Sequence, residues 1–288
     1  MIIEEKLQSI VLKLQREGTS PLYIRSAVKE YLQSYVLNFI YAESTYGKIL
    51  IFTGGTCLRK VYGINRLSED LDFDSVEEFN PKKFAEALVN YFQKRLLFKA
   101  MTASVRQQGR QILLKFDLLG KLGLAKGQES PMVYVKVDIS ASKSSINKID
   151  TKLLNDFDFS YIAKSYDLGT LMTGKIMAIL FRNLLWGNEN KETIKGRDYF
   201  DLLWFLEKKV IPNYDRALDL VRREAVVGIN SKEELMAKLN EKVLLATGKF
   251  KEDFKRDLTP FIANSKVVEG FVDSYLENYY KESKYLGF

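Results

Sequence analysis

A chain of 288 residues, 46% apolar and 28% charged, has the ordinary balance of a globular protein with material for one large domain or two smaller ones. Its formal charge of +7 favours an anionic partner such as nucleic acid or nucleotide, although the same excess also serves solubility and no long Lys or Arg run concentrates it. The absence of histidine excludes Ser-His-Asp and Cys-His catalysis and every His-containing zinc site, and the single Cys57 excludes an intrachain disulfide, which fits a reducing compartment.

In chain order, Leu7, Ile10, Val11 and Leu14 fall at helical spacing. Residues 1–16 lack the features of a signal peptide, and no apolar run approaches the roughly 20 residues of a membrane span. A cytoplasmic protein without membrane association is therefore expected. Ser20 and Pro21 are a helix start, and that helix should run to about Ser44. Ile49 to Phe52 reads as a short buried strand ending at Gly54 and Gly55, Thr56 to Tyr62 as a helix, and Leu71 to Asp74 as a second strand. Pro81 to Leu97 has the apolar stripe Phe84, Leu88, Tyr91 and Phe92 of an amphipathic helix. Thr102 to Gln107 and Gln111 to Asp117 flank a Gln-Gly-Arg turn as a hairpin, and Met132 to Ile139 alternates as a further strand.

From about Thr170 the pattern is entirely helical. The expected helices are 170–185, 196–207, 214–227, 232–247, 251–258 and 265–280. These elements predict an α+β protein: a mixed-sheet domain over residues 1–160 with flanking helices, then a helical domain over 161–288.

Chemistry concentrates in two stretches of the first domain. Gly54 and Gly55 follow a strand and precede a helix, where bare backbone and helix amides suit a phosphate, with the Thr56 hydroxyl in reach. An ordinary strand-to-helix turn reads the same way. Asp70, Asp72 and Asp74 alternate with Leu71 and Phe73, so in an extended chain the three carboxylates share one face. Their mutual repulsion is offset by hard divalent cations, Mg²⁺ or Mn²⁺, or by solvent at an acidic strand edge. Asp138 sits on a strand opposite Val137 and Ile139 and supplies a third ligand if its strand neighbours that of Asp70; otherwise Lys136 is its partner at a strand end.

In the helical region Lys175, Ile179 and Arg182 share a face, and Asp198 and Asp201 are three apart on another helix. A triphosphate site and a salt-bridge network fit this spacing equally. No Gly-x-Gly-x-x-Gly turn after a strand and no phosphate-binding Gly-x-x-x-x-Gly-Lys-Ser/Thr loop occurs.

The run Gly54-Gly55-Thr56-x-Leu58-Arg59-x-x-Tyr62-x-x-x-Arg66-x-Ser68-x-Asp70-Leu71-Asp72-Phe73 resembles the first motif of the AbiEii/AbiGii toxin family, within the DNA polymerase beta-like nucleotidyltransferase superfamily. Val137-Asp138-Ile139 resembles its third-carboxylate strand, Lys175 to Arg182 its lysine-bearing helix, and Arg197-Asp198-x-x-Asp201-Leu202 its later acidic motif. The resemblance implies Mg²⁺-dependent transfer of a nucleoside monophosphate from a nucleoside triphosphate. Catalysis would fall to Asp70, Asp72, Lys175 and Asp198, and metal binding to Asp70, Asp72 and Asp138. Nucleotide contacts would come from Gly54, Gly55, Thr56 and Lys175. The basic residues Arg59 and Arg66 flank the motif and either join those contacts or pair with Glu69 or the aspartates to position the loop. An RNA acceptor, the 3′ end of tRNA, and a cognate antitoxin protein are the implied partners. A silent binding protein on the same fold and a kinase-like phosphotransferase are the alternatives.

Overall fold

Seven strands build one mixed sheet in the order β3-β4-β5-β2-β1-β7-β6 in the computed structural model, which describes residues 2–125, 127–182, 184–186, 191–223 and 228–287. The chain divides into two units, one of residues 1–142 and 149–165 and one of residues 143–148 and 166–288. The fold is the expected α+β arrangement, a mixed sheet with helices followed by a helical unit.

The first unit opens with α1 (Ile2–Arg16) and α2 (Pro21–Asn38). Ser20 is extended and its hydroxyl accepts from the Tyr23 amide at 3.3 Å, while Pro21 takes the first helical position where no donor is lost. The helix widens into a π turn at Phe39–Glu43, so it ends close to the expected Ser44. β1 (Leu50–Thr53) leads directly into α3 (Gly54–Tyr62), which stops at Gly63 in the left-handed region, φ 76°. β2 (Leu71–Ser75) returns antiparallel to β1. α4 (Pro81–Asn90) follows and buries Phe84 and Leu88. It ends in a π turn, Tyr91–Arg95, before the expected Leu97, which is exposed with φ 54°.

β3 (Met101–Arg106) and β4 (Gln111–Asp117) form the expected hairpin, and β4 pairs antiparallel with β5 (Met132–Ala141). β5 then runs parallel to β2. Val133, Val135, Val137 and Ile139 are all buried, as their alternation requires. The core beneath them is aromatic: Phe52 and Phe73 stack across β1 and β2 at 5.1 Å, and Phe92 meets Phe116 edge-on at 5.2 Å.

Two further strands, β6 (Ile149–Asp156) and β7 (Phe159–Tyr166), lie in a segment that the sequence pattern left unassigned. β7 runs parallel to β1 with Phe52 opposite Ser165, and β6 is the sheet edge. Their apolar residues are split between faces: Tyr161 and Ala163 are buried, whereas Ile149, Leu153 and Ile162 are exposed. A clean one-sided alternation is therefore missing from the sequence.

The second unit is built on α5 (Leu168–Phe181), whose Asp167 cap accepts from the Thr170 amide at 2.8 Å. The expectation of helix alone is corrected here. Leu184–Trp186 (β8) and Lys191–Thr193 (β9) form an antiparallel hairpin, because α5 ends at Phe181 rather than at Leu185. Then follow α6 (Gly196–Glu207), α7 (Tyr214–Arg223), α8 (Lys232–Thr247) and α9 (Lys251–Leu258). Residues 224–227, expected to end α7, lie outside the described residues. Ser231 and Glu234 make a reciprocal capping box that starts α8. The single expected helix over 265–280 is broken into α10 (Ser265–Asp273) and α11 (Tyr275–Ser283). At Ser274 the hydroxyl donates back to the Gly270 carbonyl at 2.9 Å, which competes with continuation of the ladder.

Phe254 anchors the helical unit: it is fully buried against Tyr275 at 5.1 Å and Tyr199 at 5.5 Å. Phe254→Ala should cost about 3–5 kcal/mol. Denaturant unfolding checks this, and a loss below about 1 kcal/mol would show that this aromatic cluster does not hold the helices together.

Candidate active site

The sheet places Asp72 by register. Thr53 faces Asp72 across the antiparallel β1–β2 pair, and Asp72 faces Asp138 across the parallel β2–β5 pair. Register partners on adjacent strands point to the same side, so Thr53, Asp72, Asp138 and Gln111 form one row across four strands. Leu71 and Phe73 are buried beneath it while Asp72 and Asp74 stay half-buried on the other face.

Gly54 lets Asp72 of the row pack against the turn. Its φ of 75° is a conformation that a side chain resists. A Cβ there would stand 2.6 Å from Asp72 Cγ and 2.8 Å from Asp72 Cβ, a clash that no small shift relieves. The carboxylate of Asp72 thus lies directly against bare backbone at the start of α3. At Gly55 a Cβ would meet Arg66 Nη2 and Ser68 Oγ, each at 2.8 Å. Both glycines are needed where strand, helix and the loop to β2 converge.

Neighbouring side chains hold that loop. Thr56 is buried, and its hydroxyl donates to the Asp70 main-chain carbonyl rather than lying open for a phosphate. Arg66 is 3% exposed, and its Nη1 donates to the Leu67 carbonyl at 2.9 Å. Arg59 donates to Glu30 Oε1 on α2 at 2.8 Å and to the Ile64 carbonyl at 3.3 Å. Gln33 Nε2, fully buried on α2, donates to the Glu69 carbonyl at 2.9 Å. Both arginines thus donate to main-chain carbonyls of the loop before β2, and the acidic partner of Arg59 is Glu30.

The oxygen donors of the row, with the carboxylates of Asp72 and Asp138 at its centre, suit a hard divalent cation. The Asp70 carboxylate lies 3.6 Å from Lys136 Nζ, and Asp138 Oδ1 accepts from Gln111 Nε2 at 2.9 Å. Among the described residues no three Asp, Glu, Cys or His side chains converge as a metal cage. Asp72 is nearest Asp138 by register, and Asp70 would have to turn from Lys136 to join them. Gln111, a partner of Asp138, was not singled out in the sequence, because the β4–β5 pairing that sets it opposite residue 138 is fixed only in the folded sheet.

The helical unit carries its own cluster. Lys175 Nζ, from α5, lies 2.8 Å from Asp198 Oδ1 and 2.8 Å from Asp201 Oδ2, both on α6. Arg182 Nη1 lies 2.7 Å from Asp198 Oδ2. The i, i+7 spacing on one helix and i, i+3 spacing on the other bring these groups together. Burial alone would raise the Asp198 pKa. The charges of Lys175, Arg182 and Lys195, with the Lys175 hydrogen bond, overcome that and hold it well below the usual carboxylate range. Arg197 turns elsewhere: its amide and Nε donate to Asp257 Oδ2 at 2.9 and 3.2 Å, and its guanidinium lies 4.0 Å from the Phe261 ring centroid. Lys195, beside the start of α6, is a further cation near this cluster that the sequence did not single out, since a lone loop lysine carries no pattern.

Gly54→Ala should reduce turnover at least about 100-fold by displacing Asp72, with the thermal midpoint changed much less than turnover. A variant with wild-type turnover would remove Asp72 from the site. Asp198→Asn should lower stability at pH 7 by roughly 1.5–3 kcal/mol, since it removes the buried carboxylate that accepts charged hydrogen bonds from half-buried Lys175 and exposed Arg182. The pH dependence has a fixed sign. A depressed folded pKa contributes fully above the ordinary aspartate value near 4, and that contribution drains away as pH falls below it. Denaturant titrations from pH 7 to pH 2 should show this acid loss in wild type and a flatter curve in the variant.

The structure is similar to MenT4, a nucleotidyltransferase toxin of Mycobacterium tuberculosis H37Rv, with a TM-score of 0.51 at 14% identity, covering 93% of this chain and 98% of that one. JHP933 of Helicobacter pylori aligns with a TM-score of 0.49 at 15% identity, covering 89% of this chain and 90% of that one. A search of curated proteins gives no match. At 14% identity the likeness to MenT4 speaks for the fold alone. Residues 38–274 match the family described as nucleotidyl transferase AbiEii toxin, type IV toxin–antitoxin system, and the chain belongs to that family.

Proposed function

We propose that the protein transfers a nucleoside monophosphate from a nucleoside triphosphate to the 3′ end of an RNA, tRNA first among them, as the toxin of a toxin–antitoxin pair in the cytoplasm. Family membership supports the nucleotidyltransferase class and an antitoxin partner. The observation that carries the reading further is the row Asp72–Asp138 beside the bare backbone of Gly54. Asp72 and Asp138, with Asp70, would hold Mg²⁺, or Mn²⁺ in its place, and a divalent cation there supplies charge neutralisation for a triphosphate.

This chain's own residues do the rest. Gly54 and Gly55 give phosphate oxygens close access to backbone at the start of α3. Thr56 and Arg66 fix the loop that presents Asp70 and Asp72. In the helical unit Lys175 is assigned to phosphate, its ammonium oriented by Asp198 and Asp201. The net charge of +7 supports a polyanionic acceptor, whose phosphate contacts release counterions. Among the described residues no helix is long and apolar enough to cross a membrane.

The decisive experiment incubates the protein with Mg²⁺, total RNA and α- or γ-labelled triphosphates in parallel. Label from the α position on RNA is the expected result. Label from the γ position alone would make it a phosphotransferase, and no label on any acceptor would favour a silent binding protein. Asp72→Asn should lower transfer by more than the roughly 100-fold that losing a group behind a metal ligand costs. Binding of folded tRNA should weaken steeply between about 50 and 200 mM salt. A salt-insensitive affinity, or label on protein and not on RNA, would overturn the acceptor.

A further inference from the structure

The sheet of the first unit ends in two edge strands of different character. β3, at one edge, exposes Thr102 and Arg106 and buries Met101. Polar and charged side chains are the usual protection of an edge, whose backbone N–H and C=O groups otherwise recruit another strand. β6, at the other edge, is eight residues long and contains no proline. It exposes Ile149 at 50% and Leu153 at 68%. Ser160 of β7 donates to Asn155 Oδ1 of β6 at 2.7 Å, so these two side chains share a face. Alternation puts Ile149 and Leu153 on that face, together with Ile162 of β7, 60% exposed. Apolar surface and a strand edge therefore coincide.

The sequence of β6 is complementary to itself. In a two-fold antiparallel pair, opposite side chains point to the same face, so the axis must pass through a residue and not between two. With the axis at Thr151, Asp150 falls opposite the partner's Lys152 and Lys152 opposite the partner's Asp150. Ile149 falls opposite the partner's Leu153, and the threonines meet each other. Threonine pairs, opposite charges and apolar pairs are the contacts that stabilise neighbouring strands. Other axes fail. At Asp150 or Lys152 a charge faces its own copy, and at Leu153 Asp150 faces the partner's Asp156. At Leu154 Lys152 faces the partner's Asp156, which Lys60 already holds at 2.6 Å. Asp150 and Lys152 are both half-buried on the side of α3, where each meets Tyr62. Asp150 accepts from the Tyr62 hydroxyl at 2.9 Å, and the Lys152 ammonium lies 3.9 Å from the ring centroid.

We propose that two copies of this chain associate through β6, paired antiparallel about Thr151, and so join their sheets into one. Each copy supplies both halves of the ion pairs, and Ile149, Leu153 and Ile162 of the two copies form one apolar strip across the joint. Phe52 stands opposite Ser165 in the β1–β7 pair and opposite Phe73 in the β1–β2 pair. Ile162 therefore lies on the face that carries Asp72, and the pairing sets both acidic rows on one face of the joined sheet.

Sedimentation velocity of the full chain from about 1 μM to about 1 mM should show a reversible monomer–dimer equilibrium. Asp150→Lys and Lys152→Asp should each weaken it at least about tenfold, because the two-fold axis turns one reversal into two like-charge contacts. The double variant should restore it, since the charges have then exchanged places. Circular dichroism and thermal midpoints of each variant control for the altered Tyr62 contacts. Leu153→Lys, at an exposed position, should dissociate the dimer and leave the thermal midpoint of the monomer unchanged. Under mild oxidation Thr151→Cys should cross-link two copies and Leu153→Cys should not, with Cys57 fully buried and out of reach. None of these readouts uses the transfer reaction, so they stand whatever its outcome. A chain that stays monomeric over the whole range would overturn the proposal and leave this face to a different protein or to RNA. So would a dimer indifferent to both single charge variants, or cross-linking by Leu153→Cys in place of Thr151→Cys.

Discussion

The close approach of Gly54 to Asp72 is the constraint on which the sheet site depends. A strand must end at Thr53 and turn at once into a helix, with a carboxylate occupying the place where a side chain would begin. Only glycine meets both demands, the positive φ and the missing Cβ. The turn fixes where α3 starts, and α3 in turn carries Thr56 to the Asp70 carbonyl. Gly55 leaves room for Arg66 and Ser68, which close the same loop from the other side. The acidic row is thus held from both ends by backbone geometry before any ligand is considered.

Charge is handled differently in the two units. In the sheet unit the carboxylates lie on one face, with Lys136 near Asp70 and an amide on Asp138. The surrounding arginines are drawn into the scaffold. Arg59 is tied to α2 through Glu30, beside the buried pair of Lys60 with Asp156 at 2.6 Å. In the helical unit the half-buried Lys175 and the exposed Arg182 compensate the buried Asp198 and Asp201. Removing one member of such a cluster costs more than the cluster contributes, because the remaining charge stays in a low dielectric. That asymmetry keeps the helical cluster together.

The sequence by itself determined the elements whose residues carry a one-sided pattern or a strong punctuation. Ser20-Pro21 set the start of α2, and the valines of β5 alternated cleanly. Gly54-Gly55 and Asp70-x-Asp72 marked the turn and the acidic strand, and their combination with Lys175 and Asp198 carried the family resemblance. The strands β6 and β7 were not legible, because their apolar side chains divide between the core and an exposed face. The break at Ser274 was hidden because its cause is a hydroxyl bond back to the preceding turn, not a proline or glycine. Only the tertiary structure decided which strands are neighbours, and therefore that Asp138 stands in register with Asp72. It also decided that Arg59 and Thr56 serve the loop. Periodicity reports which face of an element is apolar. It does not report which element lies opposite, since that is fixed by packing and pairing between residues far apart in the chain.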